Sequence, residues 1–343
     1  MRPAQLLRIL DQEFLSTSAG HHTPVMLWGP PGVGKSQMVA QIAAAHQTPV
    51  IDIRLSQMEP SDLRGIPSRI GNCVEWAVPA LLPDAERHGP QGILFLDEIT
   101  SVPPAVSAVT YQLIMDRRLG EYQVPDHLTI FAAGNRQGDW GVTYTMPAPL
   151  ANRFSHFEVD THLDDWVVWA YANGIDERII GFLRFRPELL FDFDPAHNPV
   201  AFLSPRSWEF AHRGLCRFED QPELLRGTLQ ACVGPAAGIE LHTFIDSLDQ
   251  MPNLDAILAG DEVPVPTEIA VCGRRRPDGP GAIRAAGRDS STQVLDNILV
   301  YAERFPQREL GVMLVSDLHR AIGDDLFQRF PRSPPGPRRW LTS

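Results

Sequence analysis

Gly29-Pro30-Pro31-Gly32-Val33-Gly34-Lys35-Ser36 fits the pattern G-x-x-x-x-G-K-S/T, and the rest of the chain can be read outward from that match. Before it runs Val25 to Trp28, an apolar stretch with the length of a buried strand. After it, Lys35 to His46 is rich in alanine and free of glycine and proline, which predicts a helix. Strand, glycine loop and helix in that order form the geometry a phosphate cradle needs. The glycines let successive backbone N–H groups turn inward, and the helix N-terminus adds partial positive charge. Lys35 can then reach the outer phosphates of ATP and Ser36 can offer its hydroxyl to Mg2+, with Gln37 as the next nucleotide-binding position. A glycine turn without a ligand is the alternative reading, and the flanking elements weigh against it.

Downstream, Val50 to Leu55, Ile93 to Leu96, Leu128 to Ala133 and Phe157 to Val159 read as further strands separated by helical segments. Alternation of this kind predicts an α/β fold of three layers around a parallel, five-stranded sheet whose strands are buried on both faces. Leu6, Leu7, Leu10, Phe14 and Leu15 recur at helical spacing, so an amphipathic helix is expected to come first and cover the edge of the domain that follows. Beyond residue 161 the strand signals stop. Helical patterns follow at Leu163 to Asn173, Glu177 to Arg184, Arg206 to Leu215, Pro222 to Cys232 and Ala236 to Leu248. The expected organisation is a nucleotide-binding α/β domain over 1–160, a smaller all-helical lid over 161–270, a linker over 271–291 poor in large apolar residues, and a short helical tail over 292–343.

A second motif concerns the reaction. Gly92-Ile93-Leu94-Phe95-Leu96-Asp97-Glu98 is an apolar strand that ends in two acids. Alone it would describe a strand whose end reaches solvent. Paired with a phosphate loop, it places Asp97 at the carboxyl edge of the sheet, facing magnesium, and gives Glu98 the position from which to orient and deprotonate a water. Both acids point to hydrolysis in addition to binding.

The bulk composition narrows the alternatives. With 343 residues, 43% of them hydrophobic, the chain can bury a large core without staples. Its 42 acidic against 30 basic side chains give a net charge of -12, which argues against nucleic acid as the partner. Cys73, Cys216, Cys232 and Cys272 form no C-x-x-C pair, and the eleven histidines show no metal-ligand spacing, so magnesium is the only metal indicated. Arg8, Asp11, Gln12 and Glu13 interrupt the first apolar run, and no run approaches the length of a membrane span. A cytoplasmic protein without membrane insertion is expected.

Taken together, these motifs resemble the AAA+ ATPases, and within them the MoxR branch with its dynein-related cousins. Ala132-Ala133-Gly134-Asn135-Arg136 is similar to the strand end that carries sensor 1, which makes Asn135 the residue that positions water together with Glu98. An asparagine there could equally be a turn former. Pro147-Ala148-Pro149-Leu150-Ala151-Asn152-Arg153-Phe154 resembles the finger segment, so Arg153 would reach the γ-phosphate on a neighbouring subunit. Arg136 is the alternative finger, and a salt-bridged surface arginine the plain one. Leu203-Ser204-Pro205-Arg206-Ser207-Trp208 opens a helix with Ser204 as N-cap, and Arg206 matches sensor 2, which contacts nucleotide from the lid.

Further segments resemble the branch more loosely. Ser56 to Pro67 is similar to the stretch after the second strand, Val74-Glu75-Trp76 followed by Pro79 to an inserted hairpin, and Arg118 to Tyr122 to the hairpin before sensor 1. The resemblance implies a homo-oligomeric ring, a hexamer, that works on a protein client, with a von Willebrand factor A domain protein as the kind of partner such ATPases use. Three other readings stay open: a nucleic-acid-linked NTPase motor subunit, a magnesium-chelatase type of subunit, and a scaffold that binds ATP without turning it over.

Overall fold

In the computed structural model, residues 1–136, 138–139, 144–194, 201–248, 259–262, 297, 300–301 and 303–304 are described. The linker expected at 271–291, Cys272 and all but a few positions of the expected tail lie outside them. The described residues divide into two compact units. The first holds Met1–Trp166 and Phe191–Ser207; the second holds Val167–Leu190 and the described residues of Trp208–Ser343.

The first unit begins with α1 (Pro3–Ser18), β1 (Val25–Trp28), α2 (Lys35–Ala45) and β2 (Val50–Arg54). A short helix α3 (Pro60–Arg64) leads into an antiparallel hairpin of β3 (Ile66–Ile70) and β4 (Cys73–Ala77), with Ile66 opposite Ala77 and Ile70 opposite Cys73. Then come α4 (Ala85–His88), β5 (Gly92–Asp97), α5 (Pro104–Asp116), a second small hairpin of β6 (Arg118–Leu119) and β7 (Tyr122–Gln123), β8 (Leu128–Gly134), α6 (Ala148–Ala151) and β9 (Ser155–Glu158). Five strands form one sheet in the order β2-β5-β8-β1-β9, and each of its pairings is parallel.

Alternation along the central strands explains the three layers. Val25, Leu27, Ile93, Phe95, Phe131 and Ala133 point to one face, where they pack with Leu6, Leu10 and Phe14 of α1 and Met38, Val39 and Ile42 of α2. Met26, Leu94, Leu96, Ile130 and Ala132 point to the other, against Val106, Val109 and Leu113 of α5 and Leu63 of α3. Because both faces are covered, these strands are apolar almost throughout, with the buried Thr129 and the terminal Asp97 as the polar positions.

The first helix covers a face of the sheet beside α2, because Leu6, Leu10 and Phe14 align at four-residue intervals into a stripe that meets Val25, Leu27 and Phe131. Leu15 lies off that stripe and is 45% exposed. Full burial of each stripe residue contributes roughly 1.5–3 kcal/mol.

The chain continues through α7 (Leu163–Ala172), α8 (Glu177–Phe185), α9 (Pro205–Phe218), α10 (Pro222–Val233) and α11 (Pro235–Leu248). The core of the second unit is aromatic. Phe182 lies 5.7 Å from the buried Trp208 and 5.4 Å, edge-on, from Phe244, and Trp208 Nε1 donates to the Leu189 carbonyl at 2.9 Å. Asp176 caps α8 by accepting the Arg178 N–H at 2.9 Å. No helix among the described residues is long and apolar enough to cross a membrane.

Candidate functional site

The sheet order sets the site. β1, β5 and β8 are adjacent and parallel, so Gly29, Asp97 and Asn135, each at or just past a strand's carboxyl end, come to one edge although they are distant in sequence. Ligands bind at such edges because loops leaving parallel strands converge there with helix N-termini.

Gly32 shows how tightly the phosphate loop is held. Its φ is +83°, and a Cβ built there would stand 2.8 Å from Ser204 Oγ and 2.9 Å from Ser204 Cβ. Only glycine meets both conditions. Ser204 is itself buried and caps α9 as the sequence suggested: its Oγ accepts the Ser207 N–H at 3.2 Å, and Ser207 Oγ accepts the Ser204 N–H at 2.9 Å. Segment Phe191–Ser207 thus returns to the first unit and sets the start of α9, with Arg206, beside the loop.

Lys35 is buried at the first turn of α2. Its Nζ donates to the carbonyls of Gly29 at 2.6 Å and Pro30 at 3.0 Å, and to Asn135 Oδ1 at 3.1 Å. Burial lowers its pKa to about 8; the Asp97 and Asp139 carboxylates oppose that shift, while Arg206 and Arg136 add to it. Three cationic side chains therefore sit within electrostatic reach of one glycine loop, and an anionic ligand would relieve their mutual repulsion. A polyphosphate fits this charge distribution.

The acids lie beside them. Ser36 Oγ donates to Asp97 Oδ2 at 3.0 Å, so a hydroxyl and a carboxylate oxygen face the same point. That donor set suits magnesium, which takes one or two protein oxygens and fills its remaining positions with phosphate and water. Asp52 on β2 is close enough that Asp97 and Glu98 help to raise its pKa, after the larger effect of its own burial. A cation would stabilise this acidic corner.

Glu98 adopts left-handed backbone, φ 57° and ψ 31°, an uncommon state for a side chain of its kind. Its N–H donates to Asp97 Oδ1 at 2.9 Å, its carbonyl accepts the Ser101 N–H at 2.9 Å, and its carboxylate accepts the Ser56 hydroxyl. Asn135 is fixed from beneath: its N–H donates to Oγ1 of the buried Thr100 at 3.0 Å. Gly134 makes this approach possible, because a Cβ there would come within 2.6 Å of Thr100 Cγ2. Ser56 and Thr100, which bond to Glu98 and Asn135, are positions that motif reading did not single out. Neither has a pattern of its own; each matters only through its partner.

Of the expected site residues, Lys35 is bonded to Asn135 and Ser36 to Asp97, and the Glu98 N–H is bonded to Asp97. Arg153 stands apart. Its side chain is exposed and pairs with no acidic group among the described residues. Arg136, the alternative finger, is occupied within its own chain by Asp139 at 3.3 Å and Glu158 at 3.5 Å.

This fold and this site have the arrangement of a P-loop nucleotide-binding module. Residues 24–154 match the family described as AAA domain, dynein-related subfamily, which takes in the glycine loop, both acids, Asn135 and Arg153. Among curated proteins, Midasin from Giardia intestinalis is 30% identical over 158 residues, a stretch that spans 44% of this chain and 3% of that protein's length. Among solved structures, Thermotoga maritima RuvB, described as a Holliday junction branch migration motor, is 18% identical with a TM-score of 0.39, covering 76% of this chain and 81% of that one. A mutant of the same protein gives 18% and 0.40, with 74% and 80% covered.

Proposed function

We propose that this chain hydrolyses ATP with magnesium and serves as the nucleotide-driven module of a MoxR-type ring, a homo-hexamer in the cytoplasm, that remodels or matures a protein client. The observation that carries the hydrolysis is Glu98. A carboxylate is held in a costly backbone conformation directly after the acid that faces the cation, and such strain is retained where geometry matters.

In this reading Lys35 neutralises charge on the outer phosphates, and Ser36 and Asp97 would hold magnesium, which would supply further charge neutralisation at the phosphates. The backbone N–H groups of Gly29 to Gly34 wrap the phosphates, and Gln37 and Arg206 flank the nucleotide. Glu98 accepts a proton from the attacking water, and Asn135 holds that water in line. Arg153, exposed and without an acidic partner among the described residues, would reach a site on a neighbouring subunit, where a guanidinium stabilises charge that grows in the transition state. The hairpin β3–β4 presents Ile66, Ile70, Val74 and Trp76 to solvent, which supports contact with a protein client; a partner with a von Willebrand factor A domain is the kind the resemblance implies.

The experiment is Glu98→Gln. The variant should bind ATP with unchanged affinity, fail to hydrolyse it, and hold its client during affinity capture. Hydrolysis at the parental rate would remove Glu98 from the mechanism. The ring is tested separately by turnover per subunit against protein concentration, which should climb and saturate as interfaces form; constant turnover down to monomer concentrations would exclude an active site completed in trans.

A further inference from the structure

We infer that His156 is a positioning residue: its imidazole ties the strand that enters the phosphate loop to the turn that carries Arg153, and so sets where that guanidinium points. The inference rests on Arg153 acting as a finger toward a neighbouring subunit.

β9 lies at the sheet edge alongside β1, with Met26 opposite His156 and Trp28 opposite Glu158. Side chains alternate along a strand, so Trp28 and His156 share one face. Trp28 Nε1 donates to His156 Nδ1 at 2.9 Å. An indole N–H is only a donor, so Nδ1 must be the lone-pair nitrogen and the ring proton belongs on Nε2. His156 Nε2 lies 2.8 Å from the Ala151 carbonyl oxygen, an acceptor. The two bonds demand the same tautomer, and each ring nitrogen is used once.

Both ends of this bridge are informative. The Ala151 carbonyl also accepts the Phe154 N–H at 3.1 Å, which closes the turn Ala151-Asn152-Arg153-Phe154 around the finger; the Arg153 N–H is held by Leu150 O at 2.9 Å. Phe154 is buried, with its ring 6.1 Å from the imidazole. At the other end, Trp28 directly precedes Gly29, whose carbonyl accepts Lys35 Nζ at 2.6 Å. One side chain thus spans the short path from the lysine's loop to the arginine's turn. His156 itself is exposed on an edge strand, where core packing does not require it. Its loss should therefore show in the aim of Arg153 more than in folding.

The test compares ATP turnover of His156→Leu, which removes both bonds, with His156→Gln, whose carboxamide keeps one acceptor and one donor. Expected for His156→Leu is a kcat lower by roughly ten- to a hundredfold, the scale set by small misplacements of catalytic groups, with KM for ATP and the oligomeric state unchanged. His156→Gln should recover most of the rate. A mixing experiment then locates the defect. His156→Leu subunits keep Glu98, and Glu98→Gln subunits keep a well-placed finger, so mixing the slowed protein with the inactive one should raise turnover at interfaces where the second lends its finger to the first. Parental kcat in His156→Leu, no rescue by His156→Gln, or no recovery on mixing would overturn the assignment. Arg153→Ala mixed with Glu98→Gln separates the two claims. If that pair recovers and the His156→Leu pair does not, only the His156 role falls; if Arg153→Ala alone turns over ATP normally, the finger falls and His156 with it.

Discussion

The contact between Gly32 and Ser204 allows a signed prediction for Gly32→Ala. Two penalties add. Left-handed backbone at φ +83° costs an alanine about 1–2 kcal/mol. The new methyl would stand 2.8 Å from Ser204 Oγ, so Ser204 must move and its bond to the Ser207 N–H is lost; N-cap loss is worth about 1 kcal/mol. Gly32→Ala should destabilise the protein by about 2–3 kcal/mol without nucleotide. Ser204→Gly removes the Cβ and Oγ that the methyl meets, so in the double variant the steric part disappears and only the backbone part remains. A double-mutant cycle on denaturant midpoints, with m-values checked for constancy, should give an interaction energy of about 1 kcal/mol or more, the double variant being more stable than the sum of the singles. Strict additivity, to within about 0.5 kcal/mol, would mean that the loop and the start of α9 do not constrain one another, and the placement of Arg206 beside the loop would lose its mechanical basis.

Two other expectations concern Thr100, which lies beneath Asn135, and His22, which lies on the segment leading into β1. Thr100→Val keeps the shape of the side chain but leaves the Asn135 N–H without its acceptor, so stability should fall by about 1–3 kcal/mol and turnover should fall with ATP affinity retained; equal loss of affinity and rate would show that the change spread beyond Asn135. His22 has its pKa lowered to about 4, chiefly by burial and secondarily by Arg117. Its neutral form is favoured in the folded state, so the stabilisation is complete above an unfolded-state pKa near 6.5 and is lost as pH falls from there toward 4, by at most about 1.4 kcal/mol per pH unit. Melting temperature measured across that window should drop more steeply for the parent than for His22→Asn; parallel curves would show that His22 is not the group responsible.

The sequence by itself determined what depends on local chemistry. Gly29 to Ser36 declares a phosphate loop because each residue type there has a backbone or charge requirement met within a few positions. The continuous apolar runs at Ile93 to Leu96 and Ile130 to Ala133 declare strands buried on both faces, and Asp97 and Glu98 are legible because they end such a run. The stripe of Leu6, Leu10 and Phe14 declared a helix, but not which surface it covers, since periodicity gives a face and no partner.

Only the tertiary structure decided the rest. The change from strand to helix patterns near residue 160 marks an expected domain boundary, yet Ser204 and Arg206 are gathered with the first unit because Ser204 packs on Gly32. Thr100 under Asn135, Ser56 against Glu98, and His156 between Trp28 and Ala151 carry no motif, since a lone hydroxyl or imidazole gains meaning only from the group it meets. Those meetings are set by the order in which parallel strands assemble, β2-β5-β8-β1-β9. That order is fixed by burial of both sheet faces and by pairing between distant segments, so the groups that aim the chemistry were written far apart in the chain and joined only by the fold.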